Sequence, residues 1–132
     1  MSPPTAKPAR QRPKYYDLNL ANLPAPGLLS IFHRISGAAM FLLLIPLLLF
    51  ILQQSLQSET DFQRWKGYLA HPIAKLVLLG FIWSYLHHFL AGIRYLLLDV
   101  HWGIQKSSAQ SSAKLVLALG IIGTLLIGVW IW

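Results

Sequence analysis

The stretch Ser30–Gly37, SIFHRISG, places a hydroxyl, an imidazole and a guanidinium at the start of an apolar run that continues to Leu52. Ser30, His33, Arg34 and Gly37 are spaced by three, four and seven residues, so on a helix they share one face. A second apolar run carries His87 and His88 side by side. A neutral imidazole tolerates apolar surroundings only when it has a hydrogen bond or a metal. Neighbours on a helix point about 100° apart, so the two histidines serve different faces. His88 shares its face with Ser84 and Gly92, and His87 shares its own with Ala91 and Arg94. A glycine one turn from an imidazole leaves room for a large flat group beside it, which is what an axial haem ligand needs. His88 is therefore the better placed of the pair. The alternative, in which both histidines hydrogen-bond neighbouring helices, stands beside it, as does the reading of Arg34 as a side chain that reaches back to the headgroups.

Depth relates these groups. In antiparallel helices, His88 lies eleven residues before Asp99, about 16 Å down, and His33 lies six after Gly27, about 9 Å down. The long axis of a haem covers that difference, with iron at His88 and carboxylates near His33 and Arg34. Arginine suits a carboxylate because its planar fork donates two parallel hydrogen bonds and stays charged. His71 and His101 fall in loops, so six-coordinate iron would take its second histidine from another polypeptide.

The elements that must position these residues follow from composition. Of 132 residues, 55% are hydrophobic and only 11% charged, against about a quarter charged in an ordinary soluble domain. The net charge of +7 sits mostly beside apolar runs and is not interleaved with aromatics, which argues for topology signals and against nucleic-acid binding. The absence of cysteine excludes disulfides, thiolate nucleophiles and iron–sulfur ligation within the chain.

Residues 1–26 are polar, basic and proline-rich, lack the apolar centre of a signal peptide, and read as a cytoplasmic tail with no continuous helix before Gly27. Residues 27–132 read as one three-helix transmembrane domain, with spans at about 28–52, 72–98 and 115–132. The third span is apolar on every side, which a soluble bundle would not allow. The fold class is thus all-α membrane protein. Lys7, Arg10, Arg12, Lys14, Lys106 and Lys114 fall on one side, against Arg64, Lys66 and Lys75 on the other. That bias places the N-terminus in the cytoplasm, with Trp130 and Trp132 in an outer interfacial belt. Gly120, Thr124 and Gly128 repeat every four residues, either as a ridge for close helix approach or as ordinary membrane glycine.

These residues carry a family resemblance. Arg12-Pro13 followed by Ser30, His33, Arg34 and Ser36, and then His88, Gly92, Ile93, Arg94 and Asp99, resemble the two motifs of the cytochrome b556 membrane-anchor subunits of succinate dehydrogenase, respiratory complex II. The likeness spans nearly the whole chain after residue 11. It implies that His88 is the haem b axial ligand, that Ser30 and Arg34 form a ubiquinone site near the cytoplasmic surface, and that His33 lies near the haem propionates, with Arg34 and Gly92 also lining the cofactor. It implies a second membrane anchor supplying the other histidine, an iron–sulfur subunit and a flavoprotein, all at a bacterial inner membrane. The chain departs from the pattern at Lys14, Tyr95 and Leu98. Two other readings remain at this level: an anchor of fumarate reductase or another haem b quinone oxidoreductase, and a cofactor-free structural membrane subunit.

Overall fold

The computed structural model describes residues 22–132. The tail cations Lys7, Arg10, Arg12 and Lys14, and with them the Arg12-Pro13 pair, lie outside the described residues. Among the described residues the chain is helical without strands: α1 (Ala25–Ala39), a π-helical turn (Met40–Leu44), α2 (Ile45–Ser55), α3 (Glu59–Ala70), α4 (Pro72–Asp99) and α5 (Lys106–Ile131). Three stretches are long and apolar enough to cross a membrane: Ala25–Ser55, Pro72–Asp99 and Lys106–Ile131, of 31, 28 and 26 residues.

The first span starts at Ala25, two residues before Gly27, where the prolines argued against helix. Pro26 sits in the first turn, where its missing N–H costs nothing and its fixed φ suits the helix. Farther along, Pro46 cannot donate to the preceding turn. The chain adapts with the π-turn just before it, where the Ile45 N–H bonds the Met40 carbonyl five residues back. The span therefore continues through a proline and ends at Ser55.

The first loop contains α3. Ser58 caps it, accepting from the Asp61 N–H at 3.1 Å while its hydroxyl donates to Asp61 Oδ2 at 2.7 Å. Arg64 pairs with Asp61 at 3.1 Å. Trp65 lies edge-on to Phe50 and to Tyr68, at 5.8 and 5.5 Å between ring centroids. One apolar side against α2 and a charged side make α3 a helix suited to the interface plane.

Helix α4 is the centre, packed against both α1 and α5. It begins at Pro72, with His71 Nδ1 accepting from the Ile73 N–H. It ends in a Schellman turn: the Trp102 N–H bonds the Leu97 carbonyl, the His101 N–H bonds Leu98, and His101 takes the left-handed position at φ 63°. Helix α5 begins at Lys106, nine residues before the apolar run starts at Leu115. Lys106 and Lys114 are therefore helical residues, not loop residues. The reason lies on α4. Buried Arg94 donates from Nε to Ser112 Oγ and from Nη2 to the Ala109 carbonyl, both at 2.9 Å, tying the polar turns of α5 to the bundle.

Gly120 of α5 lies against the His87 backbone, and Gly123 and Gly128 face Leu86 and Leu79. A Cβ at Gly123 or Gly128 would come within 3.1 or 3.2 Å of those leucines, so the small-residue ridge is used within the chain, against α4. At the far end Lys75 Nζ donates to the Ile131 carbonyl at 3.1 Å and lies 5.3 Å from the Trp132 ring.

The core is small: Leu29, Ala91, Ala113 and Val116. Most large apolar side chains, among them Phe41, Leu42, Leu125 and Val129, face outward. Such an exposed apolar surface is stable only against lipid or another apolar partner.

Candidate functional site

Helix α4 buries Ser84, His87, Ala91 and Arg94. These positions lie three, four and three residues apart, and form the stripe that faces α1 and α5. Ser84 thus belongs with His87, not with His88 as the sequence offsets suggested. Its hydroxyl is spent on the Gly80 carbonyl at 3.0 Å.

His87 is fully buried among Trp83 (rings 5.1 Å apart, interplanar angle 21°) and Phe32 (6.0 Å, 88°). Neither ring nitrogen makes a hydrogen bond of good geometry among the described residues, the Leu29 carbonyl being the polar group beside it. Enclosed by its own helix, by α1 and by Gly120 of α5, it has no open side from which to ligate a large planar group.

His88 is placed differently. Its ring rests on α1, with Nδ1 3.0 Å from the His33 carbonyl oxygen and 3.4 Å from Ser36 Oγ. A carbonyl only accepts, so Nδ1 carries the proton and donates. In the neutral ring that leaves Nε2 as the unprotonated nitrogen with its lone pair available. Nε2 makes no hydrogen bond among the described residues and is not one of their enclosed polar atoms. This is the arrangement of a metal-ligating histidine, whose second nitrogen is held by a backbone carbonyl. Ser36, almost fully buried, also donates to the His33 carbonyl, at 3.0 Å.

Two glycines shape the surroundings. A Cβ at Gly37 would stand 2.8 Å from His88 Cε1 and 3.2 Å from Nδ1, so only glycine lets α1 come this close to the imidazole. A Cβ at Gly92 would meet His33 Nε2 at 3.8 Å, an ordinary contact, so Gly92 leaves free space rather than relieving a clash.

His33 stacks on His88, with centroids 4.1 Å apart and planes within 10°. Counting from helix ends expected a difference in depth of about 7 Å along the backbones; the side chains reach across it and bring the two rings into contact. Tyr95 stands 5.1 Å from the His33 ring, and its buried hydroxyl has no hydrogen-bond partner among the described residues.

The structure thus brings together His33, Ser36, Gly37, His88 and Gly92. It does not draw Ser30 and Arg34 into the packed seam: Ser30 is half-buried and Arg34 exposed. The buried residues of α1 are Leu29 and Ser36, seven apart. The four-residue face read from offsets is wide enough that Arg34 falls on its outer flank. Sequence reading gave Ser36 no task of its own. Its signal was the spacing of three from His33, which sets a hydroxyl beside that residue's carbonyl. A hollow of about 620 Å³ opens elsewhere, in the loop between α4 and α5, lined by His101, Trp102 and Gln105 among others. None of its lining residues belongs to the His33–His88 cluster. Among the described residues no three histidine or acidic side chains converge as a metal-ion site.

The comparisons with known proteins agree with one another. Residues 8–127 match the family model described as the succinate dehydrogenase/fumarate reductase transmembrane subunit. A succinate dehydrogenase cytochrome b556 subunit of Coxiella burnetii (strain RSA 493 / Nine Mile phase I) is 34% identical over 123 residues, covering 92% of this chain and 98% of that one. A protein of the same name from Paracoccus denitrificans is 26% identical over 111 residues, covering 84% and 85%. Three membrane-length helices, the two motifs in their expected helices and a family match across nearly the whole length leave one assignment: the chain belongs to the succinate dehydrogenase/fumarate reductase transmembrane subunit family.

Proposed function

We propose that this chain is the haem b-binding, quinone-site-forming membrane anchor of a succinate:quinone oxidoreductase, inactive alone and working with a second membrane anchor, an iron–sulfur subunit and a flavoprotein. The observation that carries the reading is the state of His88. Its Nδ1–H is spent on the His33 carbonyl while Nε2 is left without a partner in the described chain. That donor suits the axial position of a haem whose other histidine comes from the second anchor, and the free space at Gly92 suits a flat macrocycle. When bound, the haem supplies a one-electron centre between the donor subunit and quinone.

His33, stacked on His88, is within reach of a group ligated there, and Arg34 offers a fork for its carboxylates. Ser30 and Arg34 are also the quinone residues in this proposal. They lie four apart on the flank of α1, one turn from each other. Quinone reduction adds two electrons and two protons, and negative charge develops on the quinone oxygens. The Ser30 hydroxyl donates a hydrogen bond to one of them, and the Arg34 guanidinium holds a fixed positive charge nearby; donors already in place lower the barrier without reorganisation. An exposed arginine inside a span is costly in lipid and is retained where it faces a partner or a site. The lysine and arginine bias supports a cytoplasmic position for this end of α1, and in this proposal the membrane is a bacterial inner membrane and a water-soluble electron donor docks on that side.

The fumarate reductase reading has the same family description behind it. Two relatives carrying the succinate dehydrogenase name favour the oxidation of succinate.

The test uses the purified complex. A reduced-minus-oxidised spectrum is expected to show a b-type haem band, and Arg34→Ala is expected to lower succinate:quinone reductase activity at least tenfold while subunit content stays normal. A complex with no such band, or an Arg34→Ala complex as active as the parent, contradicts the proposal.

A further inference from the structure

Ser36 has no place in the haem and quinone contacts proposed above, yet it is the polar side chain most tightly enclosed in α1, at 1% exposure. Its hydroxyl hydrogen goes to the His33 carbonyl at 3.0 Å. The same carbonyl oxygen accepts from His88 Nδ1, also at 3.0 Å. Ser36 Oγ stands 3.4 Å from that nitrogen, so its lone pairs face the same N–H at the edge of hydrogen-bonding distance. Two side-chain donors, Ser36 and His88, therefore share one acceptor that also takes the helix's own Gly37 N–H.

We propose that Ser36 is a positioning residue that sets the electron-donating strength of the His88 imidazole by competing for the His33 carbonyl. The inference rests on the reading of His88 as the haem ligand and deepens it.

The physical chain is short. Hydrogen bonding of a ligating histidine's second nitrogen fixes its tautomer and orientation and raises its basicity. Such bonds outside the ligand set are among the main means by which a protein tunes a haem potential. A carbonyl that already accepts from a serine hydroxyl is a weaker acceptor for the imidazole N–H. With Ser36 present, the Nδ1–H is held but only partly drawn toward the carbonyl. Without it, His88 is the one side-chain donor left on that carbonyl beside the helix's own Gly37 N–H, the imidazole gains anionic character, and ferric iron is favoured over ferrous. The weaker 3.4 Å contact acts the other way, and its length makes it the smaller effect. Gly37, next in sequence, holds the ring against this carbonyl, so the arrangement has little room to relax.

The experiment is a redox titration of the b haem in the purified complex, with haem content and low-spin electron paramagnetic resonance recorded on the same samples. Ser36→Ala is expected to keep haem near parent stoichiometry, to lower the midpoint potential and to shift the resonance positions. Ser36→Thr, which keeps the hydroxyl, is expected to restore both. If Ser36→Ala does not assemble, Ser36→Cys, a far weaker donor, is read in the same way. An unchanged or raised potential in a fully loaded variant overturns the proposal, as does a threonine variant that fails to restore it. A parent complex without a b-type haem band fails the functional reading instead, and the two failures are distinct.

Discussion

Single residues decide which of two adjacent histidines is enclosed and which keeps a ring nitrogen without a partner among the described residues. His87 and His88 have the same chemistry and differ only in direction, about 100° around the helix. That angle sends His87 into a seam closed by Trp83, Phe32 and Gly120, and sends His88 to α1, where a carbonyl takes one nitrogen and leaves the other open. Gly37 is the closest fit of this arrangement. Gly37→Ala puts a methyl 2.8 Å from His88 Cε1, and both groups are anchored: one is backbone-fixed, the other hydrogen-bonded. Overpacking of this kind costs about 1–3 kcal/mol. The expected outcome is a complex with at least a several-fold lower haem-to-protein ratio, measured by the pyridine haemochrome assay. A ratio equal to the parent's shows that α1 and the imidazole separate at no cost. The spacing of Gly92 from His88 was readable in the sequence, because a helix repeats every turn. The contact of Gly37 with His88 was not, because it depends on how α1 and α4 slide past each other.

Elements set the sites in register, and here the sequence told less. The three spans were legible from length and apolarity, but their ends were not. Helix α1 runs two residues earlier than its prolines suggested, because Pro26 sits in the one turn that accepts proline. Helix α5 extends nine residues before its apolar run, because Arg94 supplies donors to Ser112 and the Ala109 carbonyl. Hydropathy reads KSSAQSSAK as loop; the bonds from α4 and the burial of Ala113 hold it as helix. A hydrogen bond from a charged donor contributes about 1.5–3 kcal/mol. Arg94→Ala is therefore expected to loosen the first turns of α5, seen as faster backbone amide exchange over residues 106–114 with little change over residues 118–128. Uniform exchange across α5 in the variant would separate the helix start from Arg94. Helix α3 lies between the first two spans, where the sequence reading placed no helix. Its cap and its two aromatic contacts give it a surface position that apolarity alone does not signal.

At the scale of the whole molecule, the described residues form three membrane-length spans with a small core and an outward apolar surface. Of the adjacent pair on α4 it buries His87 inside itself and leaves His88 Nε2 without a partner among the described residues. This division fits the proposed assembly, in which one ligating nitrogen would come from this chain and the rest from outside. Two separate observations support the proposal for His88, the motif spacing and the Nδ1–carbonyl bond. The most direct test compares His88→Leu with His87→Leu in the purified complex by reduced-minus-oxidised spectroscopy. The account predicts that the b-type haem band is lost or strongly diminished in the first. It predicts that the band keeps its position in the second, at parent intensity in whatever fraction assembles. A normal band in His88→Leu together with its loss in His87→Leu would contradict it.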